Sequence, residues 1–222
     1  MAENRTVSTS PAAFVRAHTR LAPVAYVPEL VLHVADEPIA LWEDTERVGT
    51  GHQPPPFWAF AWAGGQALAR HLLDHGELVR GRRVLDIATG SGLVAIAAAR
   101  MGAASVTAND VDPLSLASAT VNAAANGVEI TCRPGDLLDG EADADVVLAG
   151  DVFYSREMAA RVLPFLRRAV AGGALVLVGD PGRAYLPGAG MLRLASYEVP
   201  VPEALESTTV RHTTVWQVAA AA

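Results

Sequence analysis

From Arg83 onward two kinds of apolar run alternate along the chain. VLDIA (84–88), SVTAND (105–110), EITCR (129–133), ADVVLAG (144–150) and ALVLVGD (174–180) are short, carry β-branched residues and read as strands. Between them, LVAIAAARM (93–101) and PLSLASATVNAAAN (113–126), closed by Gly102 and Gly127, and SREMAARVLPFLRRAV (155–170) have helical periodicity. Pro164 is expected to kink the last of these. Alternation of this kind predicts a mostly parallel sheet with helices on both faces, an α/β, Rossmann-like architecture. LRLASYEVPV (192–201) and TVRHTTVWQV (209–218) bring the strand count to seven, and too little chain separates them for a helical crossover. An antiparallel C-terminal pair at one sheet edge follows.

Upstream the pattern is less regular. Residues 1–13 are polar and small and read as a flexible tail. Between Phe14 and Leu41, apolar runs are cut by Pro23, Pro28 and Pro38, which predicts one helix near 12–20 and then irregular or short-strand structure. GTGHQPPPFW (49–58) is a loop by composition, and a helix starts near Gly64. The expected division is a tail (1–13), an N-terminal cap segment (14–63) and an α/β domain (64–222).

Composition narrows the function. A chain of 222 residues with 51% hydrophobic content can bury a large core, and its net charge of −7 disfavours nucleic acid as a partner. Cys132 is the only cysteine, so no internal disulfide forms, and a reducing, cytoplasmic setting is the economical expectation. The start has no apolar signal region and no stretch approaches about 18 unbroken apolar residues, so no membrane association is expected. The oligomeric state is left open, with a monomer as the simplest case.

The turn VLDIATGSG places Asp86 at a strand end, then Ala88, Thr89, Gly90, Ser91 and Gly92 leading into a helix. Such a turn lets backbone amides approach a ligand at a positive helix end. GSGLVA also fits the dinucleotide pattern, with Asp110 at the distance where a carboxylate meets ribose hydroxyls and Val111 beside it. An acid ahead of the glycines, a long segment before the strand and an antiparallel ending separate it from a nicotinamide site. Asp86 suits a ligand whose amino-acid end bears an ammonium and a sulfonium, which is S-adenosylmethionine. Asp112 before Pro113 reads as a helix cap. Asp136, after the third strand, either accepts from the adenine amino group or sits in a plain turn.

With these residues in place the sequence resembles the class I, seven-stranded methyltransferases, and more narrowly the family acting on lysines of the electron transfer flavoprotein β-subunit. PPPFWAFAWAGGQALARHLL, RGRRVLDIATGSG, TANDVDP, LAGDVFY, GDPGR and TTVW carry the resemblance. It departs from the family pattern at Ala88, where the first glycine of the cofactor turn usually stands, and at Ala63, where proline commonly precedes GGQ. The resemblance implies S-adenosylmethionine as cofactor, a protein substrate, and a cofactor site that includes Trp62, Gly64, Gly65, Gln66 and Gly150. The helix opened by Gly64, Gly65 and Gln66 would meet the methionine carboxylate with its N-terminus. Trp58 and Trp62 are either core aromatics or neighbours of the cofactor.

In this fold the loop after the fourth strand lies beside the transferable methyl, so Asp151, Phe153 and Tyr154 would face the acceptor nitrogen. Lysine arrives as an ammonium with a pKa near 10.4, and its deprotonation at pH 7 costs about 4–5 kcal/mol. A carboxylate would raise that pKa, so Asp151 is a poor general base. Beside the nitrogen it would instead orient the amine and stabilise the positive charge arriving with the methyl, while Phe153 and Tyr154 pack the lysine stem. The alternatives are that Asp151 caps the helix beginning near Ser155, or binds metal, for which His71 and His75 lack an evident third ligand. Asp180 and Arg183 of GDPGR are either a structural turn pair or contacts to the substrate protein. A small amine or ribosomal protein as acceptor, and a non-catalytic interaction module, are the competing functions.

Overall fold

The structure is a computed structural model describing residues 10–48 and 54–220. In chain order its elements are α1 (Pro11–His18), β1 (Arg20–Val24), β2 (Val27–Val34), α2 (Pro38–Val48), a 3₁₀ turn at Phe57–Ala59, α3 (Ala63–Asp74) and β3 (Arg83–Ile87). There follow α4 (Leu93–Arg100), β4 (Ser105–Asp110), α5 (Pro113–Ala125), β5 (Thr131–Pro134), β6 (Val146–Gly150), α6 (Arg156–Ala171) and β7 (Leu175–Asp180). The last are β8 (Met191–Pro200), the short α7 (Glu203–Glu206) and β9 (Val210–Val218). The tail expected over 1–13 lies outside the described residues up to position 9, and Ser10 already caps α1 by accepting from the Ala13 N–H. Positions 49–53 of the expected loop lie outside them too. Among the described residues no helix is long and apolar enough to cross a membrane.

The main sheet has seven strands in the order β5-β4-β3-β6-β7-β9-β8. The five strands from β5 to β7 are parallel, while β9 runs antiparallel to both β7 and β8. This is the seven-stranded, mostly parallel sheet with an antiparallel ending that the hydrophobic pattern predicts. Period-two alternation sorts each central strand onto two cores. Val84, Leu148 and Leu177 pack toward α3 and α4, whereas Leu85, Ile87, Val147 and Val176 pack toward Val162, Phe165 and Leu166 of α6. Pro164 lies inside α6, which runs through it.

Strand order reverses at β3, whose neighbours are β4 and β6, and open α/β sheets bind ligands in the crevice outside such a switch point. The N-terminal segment closes one side of this crevice. Its β1–β2 hairpin holds Pro23 and Pro28, which a two-stranded sheet of edges accommodates. Helix α2 was not expected: Pro38 reads as a breaker, yet it occupies the first helical position, where its missing N–H costs nothing. Asn122 of α5 and Asn126, which follows its last residue, tie the hairpin down through carboxamide bonds to His33 N–H at 2.7 Å and Val31 N–H at 3.0 Å. Asn122 also donates to the Ser91 carbonyl at 2.8 Å, linking hairpin and glycine turn.

Candidate active site

At the end of β3 the chain must turn sharply into α4. Ala88, Gly90 and Gly92 all take positive φ, at 49°, 52° and 81°. A Cβ on Gly92 would lie 2.9 Å from Ala119 of α5, so glycine is required there by packing as well as conformation. Ala88 meets the left-handed demand with a side chain, at the position where the family pattern has glycine.

Two carboxylates order this turn. Asp86 is buried; its Oδ2 accepts from Thr89 Oγ1 at 2.5 Å and from the Ala95 N–H of α4 at 3.2 Å. Burial pushes its pKa up to about 7 against those two bonds, and the charge of Asp110 adds to the rise. Asp110 accepts from Gly90 N–H and Asp112 N–H, each at 3.0 Å, and burial raises its pKa as well. Val111 beside it is exposed. Asp112 caps α5 by accepting from the Leu114 N–H at 2.8 Å, as its sequence position implies.

These features fit S-adenosylmethionine. A Cβ built on Gly90 would meet only the Trp58 backbone, at 3.9 Å, so the turn is bare on the side facing the crevice. Each Asp110 oxygen engages one backbone N–H and keeps capacity to accept a ribose hydroxyl. A buried and a half-buried acid, both of raised pKa and neither paired with a cation among the described residues, suit a ligand that brings positive charge.

The second half of the crevice, at the ends of β6 and β7, is built on backbone contact. A Cβ on Gly64 would lie 2.2 Å from the Gly179 carbonyl oxygen, and one on Gly150 would lie 3.0 Å from Gly65 Cα. The N-terminus of α3 therefore sits directly on the strand ends. Asp151, at φ 56°, aims its carboxylate at that terminus: Oδ2 accepts from Gly65 N–H at 3.0 Å. Oδ1 accepts from Arg183 Nη2 at 2.7 Å and Nε at 3.0 Å. Burial pushes the Asp151 pKa up, opposed chiefly by Arg183. Burial also works against the charge of Arg183, but Asp151 and Glu206 outweigh it and hold the guanidinium above its ordinary pKa.

Several residues named from the sequence take other places. Asp151 does cap a helix, but that helix is α3; α6 is capped by Ser155, which accepts from Met158 N–H at 3.1 Å. So the α3 N-terminus, expected to meet the cofactor carboxylate, receives a protein carboxylate. Phe153 is fully buried with Val162 and Phe165 and walls no open channel, because the turn after β6, with Asp151 at φ 56°, directs both Val152 and Phe153 into the α6 core. Tyr154 is half exposed, with its ring 5.6 Å from Phe57, which in turn lies 5.7 Å from Trp62. These three rings form the rim beside Asp151. Trp58 is a core residue beneath them.

Gln66 is used internally: it accepts from Tyr26 N–H at 3.1 Å and donates to the Ala61 carbonyl at 2.8 Å. Asp136 stays exposed after β5, with its carboxylate bonded to Arg161 and to Leu138 N–H. Asp180 is buried and builds the turn after β7, accepting on Oδ1 from Gly182 and Arg183 N–H at 2.7 Å. Burial pushes it up to about 6. His71 bonds Tyr197 at 2.9 Å.

Comparison with known proteins decides the family. The model of ribosomal protein L11 methyltransferase (PrmA) matches residues 67–155. The chain is similar to the electron transfer flavoprotein beta subunit lysine methyltransferase of Xenopus laevis, at 35% identity over 96% of this chain and 88% of that protein. It is 33% identical to the protein of the same name from Homo sapiens, over 85% of this chain and 74% of that one. The chain belongs to this lysine methyltransferase family. Among solved structures, ribosomal protein L11 methylase from Lactobacillus delbrueckii subsp. bulgaricus overlays with a TM-score of 0.52 at 23% identity, covering 72% of this chain and 81% of that one, and shares the fold. As a family member the chain is an S-adenosylmethionine-dependent methyltransferase. Sequence reading missed two members of its site, Phe57 and Glu206, and a signal existed only for Phe57, in the PPPFW run before the expected helix.

Proposed function

We propose that this chain methylates lysine side chains of the electron transfer flavoprotein β-subunit. The observation that carries the reading is the match, along almost the whole chain, to relatives of that name. The geometry at the switch point supports it, because the cofactor turn and an aromatic rim open onto the same crevice. S-adenosylmethionine supplies a methyl group on a sulfonium, electrophilic toward an amine.

In this reading Asp110 holds the ribose hydroxyls, with Val111 against the adenine, and the buried charge of Asp86 attracts the ammonium end. The Tyr154, Phe57 and Trp62 rings receive the aliphatic stem and face the cation as it forms. Asp151 acts differently from a bare carboxylate. With Arg183 on one oxygen and the α3 N-terminus on the other, its charge is compensated, so it raises the pKa of an arriving ammonium less than a lone acid would. It fixes the backbone of the loop that carries Tyr154, and the lysine proton leaves to water along the exposed rim.

Intact mass of purified β-subunit after incubation with the protein and S-adenosylmethionine tests this. Steps of one methyl mass are expected, reduced at least tenfold with Asp151→Asn. An unmodified β-subunit, with calorimetry showing cofactor bound, would redirect the search to other acceptors.

A further inference from the structure

Arg183 does not face Asp151 alone. On its other side Glu206 accepts from Nη2 at 2.7 Å through Oε1 and from Nη1 at 3.1 Å through Oε2, a two-pronged grip that matches carboxylate to guanidinium. Glu206 is in turn held by Arg211 of β9, whose Nε donates to Oε2 at 3.1 Å and whose Nη2 donates to the Glu206 carbonyl at 2.9 Å. The Glu206 side chain is only 2% exposed, against 11% for Asp151 and 19% for Arg183. Nothing about the stability of α7 requires an acid there. The helix has four residues, and Ser207 ends it at φ 55°. Leu205, next in sequence, packs on the cluster containing Trp58 and Phe60, which pins the segment over the strand ends.

The four side chains bonded to one another, two carboxylates and two guanidiniums, sum to zero, and buried Asp180 lies beside them on the Arg183 turn. Arg183 donates two bonds to each carboxylate: Nη1 and Nη2 to the two oxygens of Glu206, Nε and Nη2 to the single Oδ1 of Asp151. Its Cζ also lies 5.8 Å from the centre of the Trp62 ring. Glu206 is the more buried of the two acids and is itself anchored by Arg211, so it holds Arg183 from a fixed side. Among the described residues Gly65 N–H supplies the other hydrogen bond on the Asp151 carboxylate, so the pose of Asp151 depends on where Arg183 is held.

We propose that Glu206 is a positioning residue for methyl transfer: carried in from the β8–β9 connection, it fixes Arg183 on Asp151 and thereby the loop that bears Tyr154. This rests on the function proposed above. It assigns to the antiparallel end of the sheet a part in the acceptor site, which a purely structural edge would not have.

The test is Glu206→Gln in the full chain, with kcat and KM for the β-subunit, cofactor affinity by calorimetry, and the Arg183 Nε–H resonance by NMR. We expect kcat to fall at least tenfold, cofactor affinity to stay within twofold, and the Arg183 resonance, protected from solvent exchange in the parent, to broaden. Because two guanidiniums would then face one carboxylate, the single variant is paired with Glu206→Gln/Arg211→Gln, which restores neutrality. Recovery of thermal stability without recovery of kcat supports positioning. Recovery of both assigns Glu206 to charge balance alone and overturns the proposal, as does parental kcat in either variant. If the parent leaves the β-subunit unmodified, the substrate reading fails separately, and NMR decides: a protected Arg183 resonance in the Glu206→Gln protein overturns the proposal, and a broadened one supports it.

Discussion

The two halves of the crevice are held by different forces. On the β3 and β4 side, Asp86 and Asp110 are satisfied by the backbone and one hydroxyl of a short stretch, the longest bond spanning 20 residues from Gly90 to Asp110. On the β6 and β7 side, Asp151 is satisfied by Gly65, 86 residues away, and Arg183, 32 residues away, and Arg183 by Glu206, 23 residues further on. The first half sets buried Asp86 and half-buried Asp110 without a cation among the described residues and awaits one. The second half has paired Asp151 and Glu206 with guanidiniums, and of its buried acids Asp180 is held by backbone N–H groups. A half that must receive a charged ligand is left uncompensated, while a half that must hold a shape is compensated internally.

Removing Arg183 breaks this contrast most severely. Arg183→Ala leaves Asp151 and Glu206 buried without their shared cation, and about 3–5 kcal/mol of stability should be lost, read by urea unfolding. Methyl transfer should fall more than a hundredfold, and Arg183→Lys should restore charge without the fork and recover little of it. Gly64→Ala strikes the backbone contact under the same half. A Cβ within 2.2 Å of the Gly179 oxygen forces α3 off the sheet, at about 3 kcal/mol, and a parental melting temperature would refute that packing.

Asp86→Asn sharpens the contrast from the other side. The folded pKa of Asp86, about 7, exceeds the ordinary value of 3.8, so between these the folded state keeps a proton that the unfolded chain has lost. Stability contributed by the protonated form is complete below about pH 4, is lost as pH rises toward 7, and is level above. Asp180, raised to about 6, adds a similar slope that ends earlier. Asp86→Asn should therefore melt higher than the parent at pH 8, match it near pH 4, and bind S-adenosylmethionine about tenfold more weakly. Equal affinity would remove Asp86 from the cofactor site. Ala88→Gly is the smallest test. Relief of a left-handed alanine outweighs the added freedom of the unfolded chain, so about 0.5 kcal/mol of stability should be gained with cofactor affinity unchanged.

This difference in construction also explains what the sequence could disclose. The glycine turn, Asp86, Asp110 and the Asp112 cap are legible because their partners lie within two consecutive strand–turn–helix units. The strands are legible because alternation survives in VLDIA and ADVVLAG. Phe153 misleads because an aromatic just past a strand reads alike whichever face it takes, and here the turn at Asp151 directs it into the α6 core. Gly64 looks like part of a ligand cradle, yet its bareness serves the close approach of α3 to β7, while a Cβ on Gly65 would meet Val94 and Leu93 of α4 no nearer than 3.9 Å. Gln66 likewise matches a motif but spends its hydrogen bonds on the hairpin at Tyr26 and on the Ala61 carbonyl. Glu206 is the hardest to see, since an acid in a short connection carries no mark of being buried. Helix α2 was hidden by a proline standing at its start.

The place of β9 in the sheet has a consequence for how the protein is made. β8 leaves the ribosome first, but β9 is its only neighbour in the sheet, so β8 waits unpaired until β9 has been synthesised and slotted against β7. Arg183 acquires Glu206 and Arg211 only from the segment that follows β8. The charge cluster at this end of the sheet is therefore the last part that a chain made from its N-terminus can complete.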